Sequence, residues 1–232
     1  LPELVVGGIT PLTSTDYPGC LSAVIFCQGC PWRCPYCQNP HLIPPRAAQS
    51  VPWRDVVNFL NRRRGLLDAV VFSGGEPTLQ AVPLAEALHE VRTLGFRTGM
   101  HSAAPYPETL GSLLPLLDWV GLDVKAPFDR YEALTGVPGS GEKAREGLRL
   151  LLQSGIDYEI RTTVHSQLHD ANGLLRLAAD LQVMGVENFV MQVFRPQGCD
   201  NAVLCTSSAP ILTAELCEQI AARFKNFTLR PS

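Results

Sequence analysis

Cys30, Cys34 and Cys37 are spaced C-x3-C-x2-C, with the aromatic Tyr36 just before the last sulfur, on one stretch running from Cys27 to Pro40. Thiolates this close on one irregular loop cannot reach distant partners, but they can wrap one compact inorganic object. An iron-sulfur cube takes thiolates as its usual ligands. Three ligands leave the fourth iron of a 4Fe-4S cluster without a protein sulfur, free to hold a substrate or cofactor. Cys27 extends the run to C-x2-C-x3-C-x2-C, which a zinc site could also use, although zinc ribbons separate their two cysteine pairs by a longer loop. Cys27 also ends the apolar run Leu21–Phe26 and reads as a buried strand residue. A chain of 232 residues, 46% of them hydrophobic, builds a core without disulfide staples.

The elements that must position this loop follow a repeating rhythm. Strand-like runs occur at Leu21–Phe26, Ala69–Ser73, Arg97–His101, Trp119–Lys125, Tyr158–Val164 and Asn188–Phe194. Helical spacing of apolar residues follows each, at Arg54–Arg64, Val82–Leu94, Pro107–Leu117, Lys143–Ser154, Ala171–Met184 and Thr213–Phe224. Six βα units in succession predict a parallel sheet with crossover helices in one domain over residues 1–232, an α/β fold. Such units build either an open doubly wound sheet or a partial (β/α)6 barrel, and both place ligands at the C-terminal ends of the strands. Ahead of them, Leu4–Thr10 carries two apolar runs around Gly7-Gly8, which predicts a short N-terminal β-hairpin turning there. Gly95, Gly155 and Gly185 mark helix ends, Gly136–Gly141 a surface loop, and Arg195–Leu212 a stretch without periodicity.

Several strand ends carry polar groups. Gly74, Gly75 and Glu76 follow the second βα strand; the glycines permit close approach and the glutamate accepts from a cation. The third strand ends at His101 and Ser102, a rim histidine and a candidate polar contact. Asp123 and Lys125 are two apart and so project to one side. With three lysines against sixteen arginines in the chain, a lysine in an apolar strand is distinctive. It is either a ligand contact or half of an internal salt bridge. Arg161, Gln192 and Arg195 add polar groups on the last two strands, and Arg161 suits a carboxylate. Cys20, Cys199, Cys205 and Cys217 match no ligand motif and read as idle thiols or, less simply, as an auxiliary site.

The net charge of -3 leaves no footprint for nucleic acid, and Arg62-Arg63-Arg64 reads as a solvated face at a helix end. Leu1-Pro2-Glu3 does not start a signal peptide, and Pro115 and Asp118 interrupt Leu110–Val124, so no membrane span is expected. These features predict a cytoplasmic protein, where a cysteine cluster points to a metal or redox site.

Phe26-x-Gln28-Gly29-Cys30-x-x-Arg33-Cys34-x-Tyr36-Cys37-x-Asn39 resembles the cluster loop of radical S-adenosylmethionine (SAM) enzymes, and among them the activases that install a glycyl radical on a partner enzyme. The lead-in Thr15-Asp16-Tyr17-Pro18-Gly19 is similar to that of the anaerobic ribonucleoside-triphosphate reductase activating proteins. Gln38 departs from the pattern, since many activases carry His there. The resemblance implies a partial (β/α)6 barrel, a 4Fe-4S cluster on Cys30, Cys34 and Cys37, and SAM held by Tyr36, Gly74, Gly75, Glu76, Ser102, Asp123, Lys125 and Arg161. It implies no catalytic side-chain acid or base. The implied partners are a glycyl-radical enzyme, the anaerobic (class III) ribonucleotide reductase, and a flavodoxin- or ferredoxin-type electron donor. A radical SAM enzyme acting on a small molecule, of the deazaguanine-synthase kind, is the alternative, and a zinc-binding module without catalysis the third.

Overall fold

The computed structural model describes residues 3–46, 49–206 and 211–231. Positions 1–2 of the expected N-terminal segment, and 207–210 of the expected irregular stretch, lie outside the described residues. The strands are β1 (Val6–Thr13), β2 (Ser22–Cys27), β3 (Ala69–Gly74), β4 (Arg97–Ser102), β5 (Trp119–Asp123), β6 (Asp157–Val164), β7 (Asn188–Val193) and β8 (Asn226–Arg230). They form one sheet in chain order, parallel throughout except that β1 runs antiparallel to β2.

The helices between them are α1 (Trp53–Asn61), α2 (Ala81–Thr93), α3 (Pro107–Leu113), α4 (Tyr131–Thr135), α5 (Ser140–Ser154), α6 (Ala171–Val183), α7 (Ala202–Thr206) and α8 (Ala214–Ala221). Asp170 and Thr213 cap α6 and α8, accepting from Gly173 N at 2.7 Å and Leu216 N at 3.2 Å. Strand order decides between the two sheet architectures. A doubly wound sheet reverses its order at a switch point and carries helices on both faces, whereas this order never reverses. The buried residues of α1, α2, α3, α5, α6 and α8 join one core with Ala23, Ile25, Val70, Phe72, Val120, Leu122 and Ile160 from one face of the sheet. The other face holds a smaller cluster, Tyr17, Cys20, Val24, Ala69, Val71 and Trp119, with no helical residue in it. This is a singly wound, partial (β/α)6 barrel built on β2–β7, with β1 and β8 added at its edges.

The hairpin is displaced from its expected place. Gly7 and Gly8 lie within β1, which pairs with β2, and the chain turns between Thr13 and Ser22. Glycine at position 7 gives room to the ends of the Leu42 and Gln28 side chains, which a Cβ there would displace. The third helix stops at Leu113 and tightens to a 3-10 turn at Leu114–Leu116, because Pro115 cannot donate to the helix. The fourth βα strand ends at Asp123, leaving Lys125 just beyond it. β8 and α7 were not expected; α7 lies inside the stretch without periodicity.

Candidate active site at the strand ends

The loop after β2 is fastened by its backbone. Gly29 N and Cys30 N donate to Leu42 O and Ile43 O at 2.7 and 3.1 Å. Buried Gln28 donates through Nε2 to Pro44 O at 2.7 Å. Trp32 is buried and meets the Tyr131 ring edge-on at 5.8 Å. Cys30, Cys34 and Cys37 are partly exposed free thiols, and Asn39 N donates to Cys37 Sγ at 3.4 Å. Cys27, by contrast, is fully buried in the main core as the last residue of β2. Burial pushes the Cys30 thiol up to about 12 and raises Cys34 and Cys37 as well, while the charge of Lys125 opposes the rise at all three. One cation thus faces the whole cysteine set.

The turn after β3 packs against this loop. Gly74 has φ +113°, and a Cβ on it would meet the Cys27 backbone; a Cβ on Gly75 would run into the Gly29 carbonyl. The close approach that these glycines permit is made by the cysteine loop itself. Glu76 N donates to Gly29 O at 2.7 Å. The Glu76 side chain is buried and already engaged: Oε1 accepts from Thr78 Oγ1, Ser102 Oγ and Thr78 N at 2.6, 2.8 and 3.1 Å, and Oε2 from Ala103 N at 3.0 Å. Ser102 Oγ accepts in turn from Ala104 N at 2.9 Å. Glu76 therefore ties the turns after β3 and β4 together. Glu76→Gln, which turns an amide NH2 toward one of these donors, is expected to cost about 1–3 kcal/mol in urea unfolding; an unchanged midpoint would show the clamp to be idle.

Asp123, Lys125 and Arg161 meet on the face that the helices leave free. Arg161 donates from Nε to Asp123 Oδ1 at 2.9 Å, and the Lys125 ammonium lies 3.3 Å from Oδ2. The internal salt bridge foreseen as one reading of Asp123 and Lys125 is present, with Arg161 as a third member. Gly121 makes room for it, since a Cβ there would strike the Arg161 guanidinium. Burial acts to raise the Asp123 carboxyl, but Arg161 and Lys125 hold it down to about 2. Burial likewise pulls on the Lys125 ammonium, yet Tyr36, Asp123 and Cys34 keep it well above its ordinary value, and it lies 5.6 Å from the Tyr36 ring centroid. The Tyr36 hydroxyl is buried without a hydrogen-bond partner, an open valence beside the cysteines.

The lead-in packs on the face of the sheet that the helices leave free. Tyr17 packs on Trp119 at 5.1 Å, and His101 Nε2 donates to Asp16 O at 2.8 Å. His101 is the hydrogen-bonded rim residue expected of it. Gln192 Nε2 donates to Thr163 Oγ1 at 2.7 Å, and Arg195 is exposed, its carbonyl accepting from Gln38 Nε2 at 2.8 Å. Cys199 Sγ lies 3.7 Å from Pro35 O and Cys205 Sγ 3.6 Å from Cys199 O. Among the described residues no group of three or more His, Cys, Asp or Glu side chains could hold a single metal ion. Sequence reasoning missed His165 and His169, whose spacing just past a strand end was the available signal.

Residues 24–173 match the family model of the radical SAM superfamily. A protein of Methanocaldococcus jannaschii, whose name assigns it to the glycyl-radical enzyme activating enzymes, is 30% identical over 202 residues, 84% of this chain and 82% of its own. The chain belongs to the radical SAM glycyl-radical activases. The pyruvate formate-lyase-activating enzyme of Clostridium pasteurianum is 28% identical over 187 residues, 77% of each. In fold, Streptococcus suis SuiB bound to its precursor peptide SuiA superposes with a TM-score of 0.67 at 15% identity, over 89% of this chain and 48% of that one. Radical SAM activases use a 4Fe-4S cluster and SAM. The donor set fits these groups: three partly exposed thiols share one loop, a buried cation faces them, and a buried hydroxyl beside them lacks a partner. Cys27, fully buried in the core, is not among those partly exposed thiols. Among the described residues no helix is long and apolar enough to cross a membrane.

Proposed function

We propose that this activase installs the glycyl radical of the anaerobic ribonucleoside-triphosphate reductase in the cytoplasm, with a flavodoxin- or ferredoxin-type protein as its electron donor. The lead-in Thr15–Gly19 carries this reading. Its likeness is to the activases of that reductase, and here it packs on the helix-free face of the sheet against His101 and Trp119.

Cys30, Cys34 and Cys37 would hold three irons of the cluster and leave the fourth for SAM. Bound there, with one electron from the donor, these groups would supply the reductive cleavage of SAM to methionine and 5′-deoxyadenosine, the deoxyadenosine taking its hydrogen atom from a partner glycine. The chain's own work is to bind, orient and exclude water. Lys125 and Arg161 would face the SAM carboxylate, with Asp123 holding both cations in place. The Tyr36 hydroxyl would gain its missing partner. Gly74, Gly75, Glu76 and Ser102 would line the amine side through their backbone, because the Glu76 carboxylate is already occupied by protein donors. Buried Trp32 and Leu42 keep water from behind the loop.

Mixing the reduced protein and SAM with either the anaerobic reductase or pyruvate formate-lyase tests the choice of partner. A glycyl doublet by electron paramagnetic resonance is expected with the reductase. A doublet with pyruvate formate-lyase alone would move the partner. No doublet with either would favour the small-molecule reading.

A further inference from the structure

Lys125 lies two residues beyond the end of β5, where the sheet no longer fixes its backbone. A backbone group left without a ladder partner must find one elsewhere, and at Lys125 two side chains supply it. The Tyr131 hydroxyl accepts from Lys125 N at 2.8 Å. On the other side, His169 Nε2 donates to Lys125 O at 2.9 Å. A carbonyl can only accept, so this bond fixes the proton on Nε2. His169 Nδ1 then accepts from His165 N at 3.3 Å, and burial lowers the imidazole's proton affinity, keeping it neutral.

His165 repeats the arrangement one turn of chain away. Its Nε2 donates to Leu204 O in α7 at 3.0 Å, its Nδ1 accepts from Gln167 N at 3.1 Å, and its ring stands edge-on to Phe194 at 5.1 Å. Both histidines are buried, and neither belongs to the set expected to touch SAM. Residues 165–169 thus form a strut from α7, in the segment that packs on the cysteine loop at Gln38 and Pro35, to the carbonyl of Lys125.

We infer that His169 is a positioning residue for SAM binding, acting through the Lys125 backbone so that the ammonium is held ready for a carboxylate. The inference rests on the reading that Lys125 meets SAM. A misplaced ammonium weakens a charge-assisted bond without removing any ligand of the cluster. His169→Ala should therefore leave iron content intact and weaken SAM binding roughly three- to tenfold. His169→Gln, whose amide nitrogen can still donate to Lys125 O, should restore most of it.

The test is a double-mutant cycle on the anaerobically prepared, cluster-loaded protein. Its readout is the change that SAM produces in the electron paramagnetic resonance spectrum of the reduced cluster, titrated to give Kd. Lys125→Ala alone should weaken binding, and adding His169→Ala to it should change Kd less than twofold, because the ammonium that His169 positions is already gone. Equal weakening by His169→Ala with and without Lys125, or none in either background, would overturn the positioning role while leaving Lys125 in the site. Unchanged Kd in Lys125→Ala alone would overturn the reading of Lys125 and the role of His169 with it. If His169→Ala fails to fold, His169→Met, which fills similar volume without a donor, takes its place against His169→Gln. Equal Kd values for Met and Gln would then contradict the inference.

Discussion

Alanine at Cys30, Cys34 or Cys37 is expected to abolish the visible absorbance and iron content of anaerobically reconstituted protein, whereas Cys27→Ala should retain both. The expected effect is nearly all or none, because under the proposed ligand set each of the three thiols would hold one iron and its removal would open a second iron to solvent. Cys27 differs by place. It is the last residue of β2, fully buried in the main core, and Gly75 N donates to its carbonyl at 2.9 Å. Trimming its sulfur leaves a small cavity at a cost of about 1–2 kcal/mol, visible as a lowered melting temperature in a brown protein. Loss of iron from Cys27→Ala alone, with the other three variants intact, would overturn the ligand set.

Asp123→Ala is expected to be the most destabilising single change in the site outside the cysteines. It strands two cations, the side chains of Lys125 and Arg161, which are only 11% and 9% exposed, without their shared carboxylate. Removing one partner from a buried ion pair costs roughly 3–5 kcal/mol; with 31% of the Asp123 side chain exposed to solvent, the lower end is expected. The same carboxylate gives the pH dependence its sign. Its folded pKa, about 2, lies below the unfolded value, so its contribution is fully present above about pH 4 and is lost as pH falls toward 2. Urea unfolding of the wild type should lose stability across that window, and Asp123→Asn should lack this part of the slope. A cost below about 1 kcal/mol for Asp123→Ala would mean that water already shields the two cations.

The six βα units were legible because each strand is a short apolar run and each helix carries apolar residues at helical spacing, signals that belong to single elements. Other features depended on partners that sequence does not display. Gly7-Gly8 carries the signature of a turn, but Gly7 lies against the side chains of Leu42 and Gln28, distant in the chain. β8 is a short edge strand whose place is fixed by β7 and by the bidentate pairing of Arg230 with Glu159 at 2.9 and 2.8 Å. At the site, residue types were readable and their prior engagements were not. Glu76 reads as a free acceptor until Thr78, Ser102 and Ala103 are seen to fill it. His165 and His169 show no motif because their work is done on backbone carbonyls.

If the chemistry ends on a glycine of a protein partner, the hydrogen atom itself reports on it. The anaerobic ribonucleotide reductase, made with deuterated glycine, is mixed with this protein, SAM and a one-electron donor, and the 5′-deoxyadenosine formed is weighed by mass spectrometry. One deuterium per deoxyadenosine, in step with a glycyl signal in the partner, is the predicted result. Deoxyadenosine free of deuterium, with no glycyl signal in this or any other glycyl-radical enzyme tried, would contradict the account.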